Sequence, residues 1–312
     1  MSKCCDAPKA ALFVVCALFG LLGRTNACQA GTIFDYNVIV TDTFTAASHV
    51  QGTTFANQLI AVNNPDFAQS PAAGTGDTLT VAGAISGSPS VLERGVYRYA
   101  QAAAPAAILN GGSSLVHDPT VSITGLATQM SAASSFYASL SSSHASPVGN
   151  TLTLTASGSG ATVFNESASD LMGANLNITL TAVADQSIIV LVPDAGFTFG
   201  SSEHVSLGGG TTATQILWVF PNATSISMND SQWFGSTLAP IASLTDNNQN
   251  MNGGVYVKNF NQTAEVHLSD PNLGPGQPQF NGPSVPEPAT AVLILLGGIG
   301  LVRFVRRRGL SS

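Results

Sequence analysis

Thr151-Leu152-Thr153-Leu154-Thr155 and, one turn signal further on, Asn177-Ile178-Thr179-Leu180-Thr181 decide the fold of this 312-residue chain. Apolar and small polar residues alternate strictly in both. That period of two, rich in β-branched residues, marks strands with one buried and one solvated face. The same pattern recurs on either side, in Tyr36 to Val40, Thr78 to Val81, Ser187 to Val192, Ile216 to Phe220 and Gly254 to Lys258. Gly-Ser, Asn-Gly and Pro-Asn turn signals separate the runs. The domain is therefore mainly β, and without a fixed repeat length it is not an array of identical units.

One segment departs from this pattern. Leu126, Met130, Ala133, Tyr137 and Leu140 recur at spacings of four, three, four and three, which predicts an amphipathic helix packed on its own β core. Asp118-Pro119 reads as its N-cap and first turn, and Ser146-Pro147-Val148-Gly149 as its stop.

Composition limits the partners. Between Gly31 and Gly282 the basic residues are Arg94, Arg98 and Lys258, against fifteen Asp and Glu. Phosphate backbones are bound by clustered Lys and Arg, so nucleic acid is excluded. The four cysteines, Cys4, Cys5, Cys16 and Cys28, all fall at the N-terminus, so the β domain is held by burial and backbone hydrogen bonds without disulfides.

Both ends read as addresses. Lys3 and Lys9 precede the apolar stretch Ala10 to Leu22 and a small-residue cleavage site at Thr25-Asn26-Ala27 or Cys28-Gln29-Ala30, the form of a secretory signal peptide. At the other end Val285, Pro286, Glu287 and Pro288 lead into a short apolar span and then Arg303, Arg306, Arg307 and Arg308. The arginines hold that end on the cytoplasmic side of a membrane. This order resembles the PEP-CTERM sorting signal of Gram-negative bacteria. The resemblance implies a transient inner-membrane anchor, an exosortase-type processing enzyme as partner, and final residence at the cell surface or in the extracellular matrix.

A second resemblance covers the β domain. Gly235-Ser236-Thr237-Leu238-Ala239-Pro240-Ile241-Ala242, then Asn252-Gly253-Gly254-Val255-Tyr256-Val257-Lys258, resembles the closing motif of the choice-of-anchor A family. Its members also resemble ice-binding domains. The implied fold is an irregular β-helix, solenoid-like, with one long packed α-helix; a β-sandwich with an inserted helix is the alternative. The glycines of the motif read as tight turns, with Leu238, Ala242, Val255 and Val257 alternating inward. The expected organisation is a signal peptide over 1–30, the β domain over 31–270, a Pro/Gly linker over 271–284 and the sorting segment over 285–312.

No catalytic, cofactor or metal site is assigned. His49, His117, His144, His204 and His267 lack metal-ligand spacing. Glu203-His204 with Asp194 is a nominal cluster, and Asp66, Asp77, Asp170 and Asp185 are nominal carboxylate partners. Gly208-Gly209-Gly210 lacks the lysine of a phosphate loop. Two features remain for binding: the threonine face of residues 151, 153, 155, 179 and 181, a candidate for ordering water or binding ice, and the aromatics Phe197, Phe199, Trp218, Trp233 and Tyr256, candidates for carbohydrate stacking. The expected function is a non-enzymatic surface or matrix protein with a structural or adhesive role in the exopolysaccharide layer. The alternatives are a polysaccharide- or surface-ligand-binding module and, further off, a secreted hydrolase or an ice-binding protein.

Overall fold

The computed structural model describes residues 33–70, 76–184, 186–229 and 232–268. The signal-peptide, linker and sorting segments lie outside them. The described chain is a parallel β-solenoid with one long helix against its side, and every strand-to-strand ladder in it is parallel. An antiparallel sandwich is thereby ruled out, since successive strands stack as coils and do not return as hairpins.

The chain does not climb from one end to the other. Strand Val38–Ala46 lies mid-stack, and Thr54–Ala61, Asp77–Val81, Val96–Tyr99 and Ser114–His117 add outward from it. Helix α1, Thr124–Ala138, then leaves the stack. From Gly160–Asn165 the chain works back inward through Gln186–Leu191, Ile216–Val219 and Ser236–Asn247 to Val255–Gln262. Val255–Gln262 pairs with Val38–Ala46, so the last long strand closes on the first. Coil lengths vary: Thr151, Asn177 and His204 are stacked partners, as are Val38, Thr54 and Leu79. Unequal coils explain why the sequence shows no repeat.

Four central strands turn a corner within their length, at the register shifts after Val40 and after Ala239. Before the corner these strands, and their neighbours Gln186–Leu191 and Ile216–Val219, are buried on both faces. Val38, Val40, Ile188, Val190 and Trp218 fill the interior, while Ile39, Ile189, Leu191, Leu217, Val219, Leu238 and Tyr256 pack beneath α1 with Leu126, Met130 and Tyr137. This is why Ser187 to Val192 and Ile216 to Phe220 read as nearly continuous apolar runs. Leu238 consequently faces the helix, a correction to the inward position expected for it, and its neighbour Ala239 points inside.

The helix limits also differ from the sequence reading. Helix α1 begins five residues after Pro119, with Ile123 at the N-cap and no side-chain cap. Asp118 instead accepts hydrogen bonds from Thr120 N (3.0 Å) and Thr120 Oγ1, and pairs with Arg98 at 3.2 Å. The local Asx turn and the ion pair occupy the carboxylate that would have capped the helix. The helix ends at Ala138, well before Pro147.

Candidate functional site

After the corner, the solenoid presents a face that α1 does not cover. One outward row runs in register through Thr198, Ser227, Thr245, Asn261, Thr45, Ile60 and Ser86, one residue from each of seven strands. Two residues back along the strands lie Gly196, Ser225 and Ser243, with Asn259 opposite Ser243. The inward row between them is Phe197, Ile226, Leu244, Phe260, Phe44, Leu59 and Ile85. Phe44 and Phe260 stack there with centroids 5.3 Å apart. Alternation thus fixes which groups meet solvent.

Lateral bonds hold these outward groups in place. Asn247 Nδ2 donates to Asn229 Oδ1 (2.6 Å) and Ser227 Oγ (3.1 Å), and Asn259 Nδ2 donates to Ser243 Oγ (3.0 Å). Asn259 Oδ1 accepts from Thr43 N at 3.1 Å. Strand spacing puts hydroxyls and amides about 4.8 Å apart across the strands and about 6.6 Å apart along them. No outward position in these rows is ionisable, although the domain is acidic.

The threonine face also forms. Thr151, Thr153 and Thr155 are exposed and lie in register with Asn177, Thr179 and Thr181, and these with His204, Ser206 and Gly208. Leu152, Ile178 and Val205 back it. Thr179 Oγ1 and Ser206 Oγ share a hydrogen bond of 3.2 Å. It spans three strands, so it is the smaller of the two arrays. The seven-strand row was not read from the sequence. Ser225 to Asn229 and Ser243 to Asn247 carry its alternating signal, but only the register aligns them with Thr45 and Asn261.

The aromatic candidates are corrected outright. Phe197, Phe199, Trp218, Trp233 and Tyr256 are all buried. The two tryptophan rings lie 4.4 Å apart, and Trp218 Nε1 donates to Phe234 O at 2.9 Å. They are core, with no ring left to stack on a sugar.

The closing motif is a seam between coils. Gly235 has φ +105° and a Cβ there would fall 2.6 Å from Ile216 Cγ2; at Gly253, φ +154°, a Cβ would collide with the Gly235 carbonyl. A Cβ on Gly254 would strike the Tyr256 hydroxyl. Asn252 Nδ2 donates to Trp233 O at 3.2 Å, Ala239 and Ala242 fill the interior, and half-buried Pro240 sits at the corner. Val285, Pro286, Glu287, Pro288, Arg303, Arg306, Arg307 and Arg308 lie outside the described residues.

Titratable groups fall into separate local pairs. His49 pairs with Asp66 at 2.9 Å, Arg98 with Asp77 at 2.8 Å, and His267 with Glu265 at 2.6 Å. Asp194 accepts from Ala168 N at 2.8 Å. Asp185 is outside the described residues. One grouping that spacing did not reveal is His144 with Glu166 and Asp170, whose ligand atoms all lie within 4.8 Å of one another. Glu166 is fully buried, and desolvation raises its pKa above the ordinary glutamate value. Gly208 ends its strand, and Gly209 and Gly210 take positive φ in a turn.

A parallel solenoid with a helix on one side and an uncharged hydroxyl face on another defines the class. Residues 29–268 match the family described as "Putative Ice-binding-like adhesive domain", and the chain belongs to that family. Three solved ice-binding structures resemble it at low identity. That of the Antarctic ascomycete Antarctomyces psychrotrophicus is 12% identical with a TM-score of 0.45, covering 77% of this chain and 97% of the other. The DUF3494 domain of Shewanella frigidimarina ice-binding protein 1 is 15% identical with a TM-score of 0.42, covering 76% and 97%. A glycosylated ice-binding protein from an Arctic yeast is 13% identical with a TM-score of 0.40, covering 76% and 92%. The comparison with curated proteins returns no match. Among the described residues no helix is long and apolar enough to cross a membrane.

Proposed function

We propose that this chain is a non-enzymatic adhesion domain that binds an extended exopolysaccharide through the face centred on Thr245, Asn261 and Thr45. The observation that carries this reading is the row of outward hydroxyl and amide residues, interrupted by Ile60, running in register across seven strands. Single hydroxyl and amide hydrogen bonds contribute about 1 kcal/mol each in water. A repeating ligand that meets many at once sums them, and lateral bonds such as Asn259 to Ser243 reduce the ordering cost. Recognition here rests on hydrogen bonds rather than aromatic stacking, because the rings are inside.

Affinity electrophoresis of the protein through gels containing bacterial polysaccharides tests the reading. Retardation by at least one polymer supports it, and unchanged mobility in all of them counts against it. A second reading, ice as the ordered surface, is favoured by the threonine array of residues 151, 153, 155, 179 and 181. Partition of the protein into slowly growing ice is its direct assay.

The same proposal includes the route to the surface. The leader over 1–30 directs export by the Sec pathway, and the segment over 285–312 anchors the chain briefly in the inner membrane for an exosortase-type enzyme. Replacing Pro286, Glu287 and Pro288 by alanine then leaves a folded protein uncleaved in that membrane. Normal release of the variant would remove the sorting role.

A further inference from the structure

The edge coil next to α1 carries a second arrangement, separate from the adhesive face. Residues 143–145 run beside Gly160–Asn165: Ser143 N donates to Val163 O at 3.0 Å and Asn165 N to Ser143 O at 2.7 Å. Ser143 and Phe164 form an isolated parallel bridge, which sets His144 beside Glu166. The chain then turns into the short helix Ala168–Leu171, where Ser167 and Asp170 make a reciprocal capping box. That box holds Asp170 in place: Asp170 Oδ2 accepts from Ser167 N at 3.2 Å and also from Ser167 Oγ.

Glu166 is the informative member. Its side chain is fully buried, and Oε1 accepts from Ala145 N at 2.8 Å. Oε2 is buried and meets His144 Nδ1 at 2.8 Å as an ion pair, with no other partner of hydrogen-bond geometry. In a tetrahedral site, ligands at about 2.0–2.1 Å from one ion sit about 3.3 Å from each other, so the His144–Glu166 pair opens by about 0.5 Å to admit one. A carboxylate oxygen of Asp170 completes the group within 4.8 Å. His144 is half exposed, which leaves an entry path and a position for water.

We propose that His144, Glu166 and Asp170 bind a divalent transition-metal cation of the zinc class, which fastens the 143–145 segment to the edge coil. The imidazole nitrogen selects against calcium and magnesium, which take oxygen ligands. Two carboxylates with one imidazole form a three-ligand set with a fourth position left for solvent. The cation neutralises a fully buried carboxylate whose Oε2 meets only half-exposed His144. Its role is structural, because Gly160–Asn165 is the end strand of its sheet among the described residues and the 143–145 segment is what lies along its outer edge. Metal binding that favours the folded coil raises stability by mass action.

The test is equilibrium dialysis of the full chain, without a polyhistidine tag, against zinc chloride after chelator treatment. Elemental analysis and the unfolding temperature are read for wild type, His144→Ala and Glu166→Gln. The expected result is one zinc equivalent and a raised unfolding temperature in wild type. Each variant then loses that equivalent, or holds it at least tenfold more weakly. Glu166→Gln keeps the shape of the buried side chain. His144→Ala removes a half-exposed one, so it decides the question if the first variant fails to fold. No bound zinc in wild type, or equal zinc retention by wild type and His144→Ala, would overturn the proposal.

Discussion

The hydroxyl of Tyr256 donates to the backbone carbonyl of Tyr36 at 3.0 Å, joining the last long strand to the second residue before the first. Residues 220 positions apart are thereby fixed at the point where the solenoid closes on itself. Asn37 reinforces the seam by donating Nδ2 to Gly253 O and His267 O, both at 3.3 Å. Burial pushes the Tyr256 hydroxyl pKa well up, so it stays protonated and a donor. Tyr256→Phe leaves the Tyr36 carbonyl without this donor and should cost about 1–2 kcal/mol. A urea midpoint that falls with an unchanged slope is the expected result.

At Gly253 the backbone takes φ +154° and the Cα faces the Gly235 carbonyl. Gly253→Ala forces those two turns apart and should cost about 1–3 kcal/mol through strain. Gly112, also at positive φ but with open space around its Cβ position, is the control. Gly112→Ala should lose less, since only the conformational penalty applies there.

Asp246 gives a pH signature. It takes an inward position in the Phe199–Met228 row, and Oδ1 accepts from Thr263 N, Thr263 Oγ1 and Ala264 N. Desolvation outweighs those donors and pushes its pKa up to about 7 from 3.8. The folded chain therefore holds a proton that the unfolded chain releases between about pH 4 and 7. Stability contributed by this group is full below pH 4 and declines as pH rises to 7, by up to about 4 kcal/mol. Asp246→Asn should flatten that part of the unfolding-temperature profile. An unchanged profile in the variant would place the dependence elsewhere.

Helix α1 is held by Leu126, Met130 and Tyr137 against the outward side of the central strands. Met130 is fully buried, and Met130→Ala should cost about 2–4 kcal/mol by leaving a cavity. Limited proteolysis within residues 118–145 should quicken in that variant.

The strands at Thr151–Thr155 and Asn177–Thr181 were legible residue for residue, because a period of two on a single solvated face is a local signal. The helix was legible from its apolar stripe, but its start was not, since Arg98 and Thr120 compete for Asp118. Long-range register was hidden. Unequal coil lengths leave no period, and nothing in Thr45 or Asn261 alone says that they are neighbours. The buried fate of Trp218 and Trp233 was likewise set by a sheet covered on both sides, which a short apolar run does not distinguish from a solvated face. His144 and Glu166 meet through the Ser143–Phe164 bridge, a contact without sequence spacing.

In the proposed function the seven-strand row is the adhesive surface. Asn261 is exposed near its middle and Thr198 at its end, so an arginine at either keeps the core intact while adding bulk and charge to the face. The decisive measurement is polysaccharide affinity electrophoresis of Asn261→Arg, Thr198→Arg and, from the smaller array, Thr153→Arg. Adhesion through this row gives lost or strongly reduced retardation for Asn261→Arg, a partial loss for Thr198→Arg, and wild-type retardation for Thr153→Arg, all with unchanged unfolding temperatures. Wild-type retardation of Asn261→Arg, or loss confined to Thr153→Arg, would contradict it.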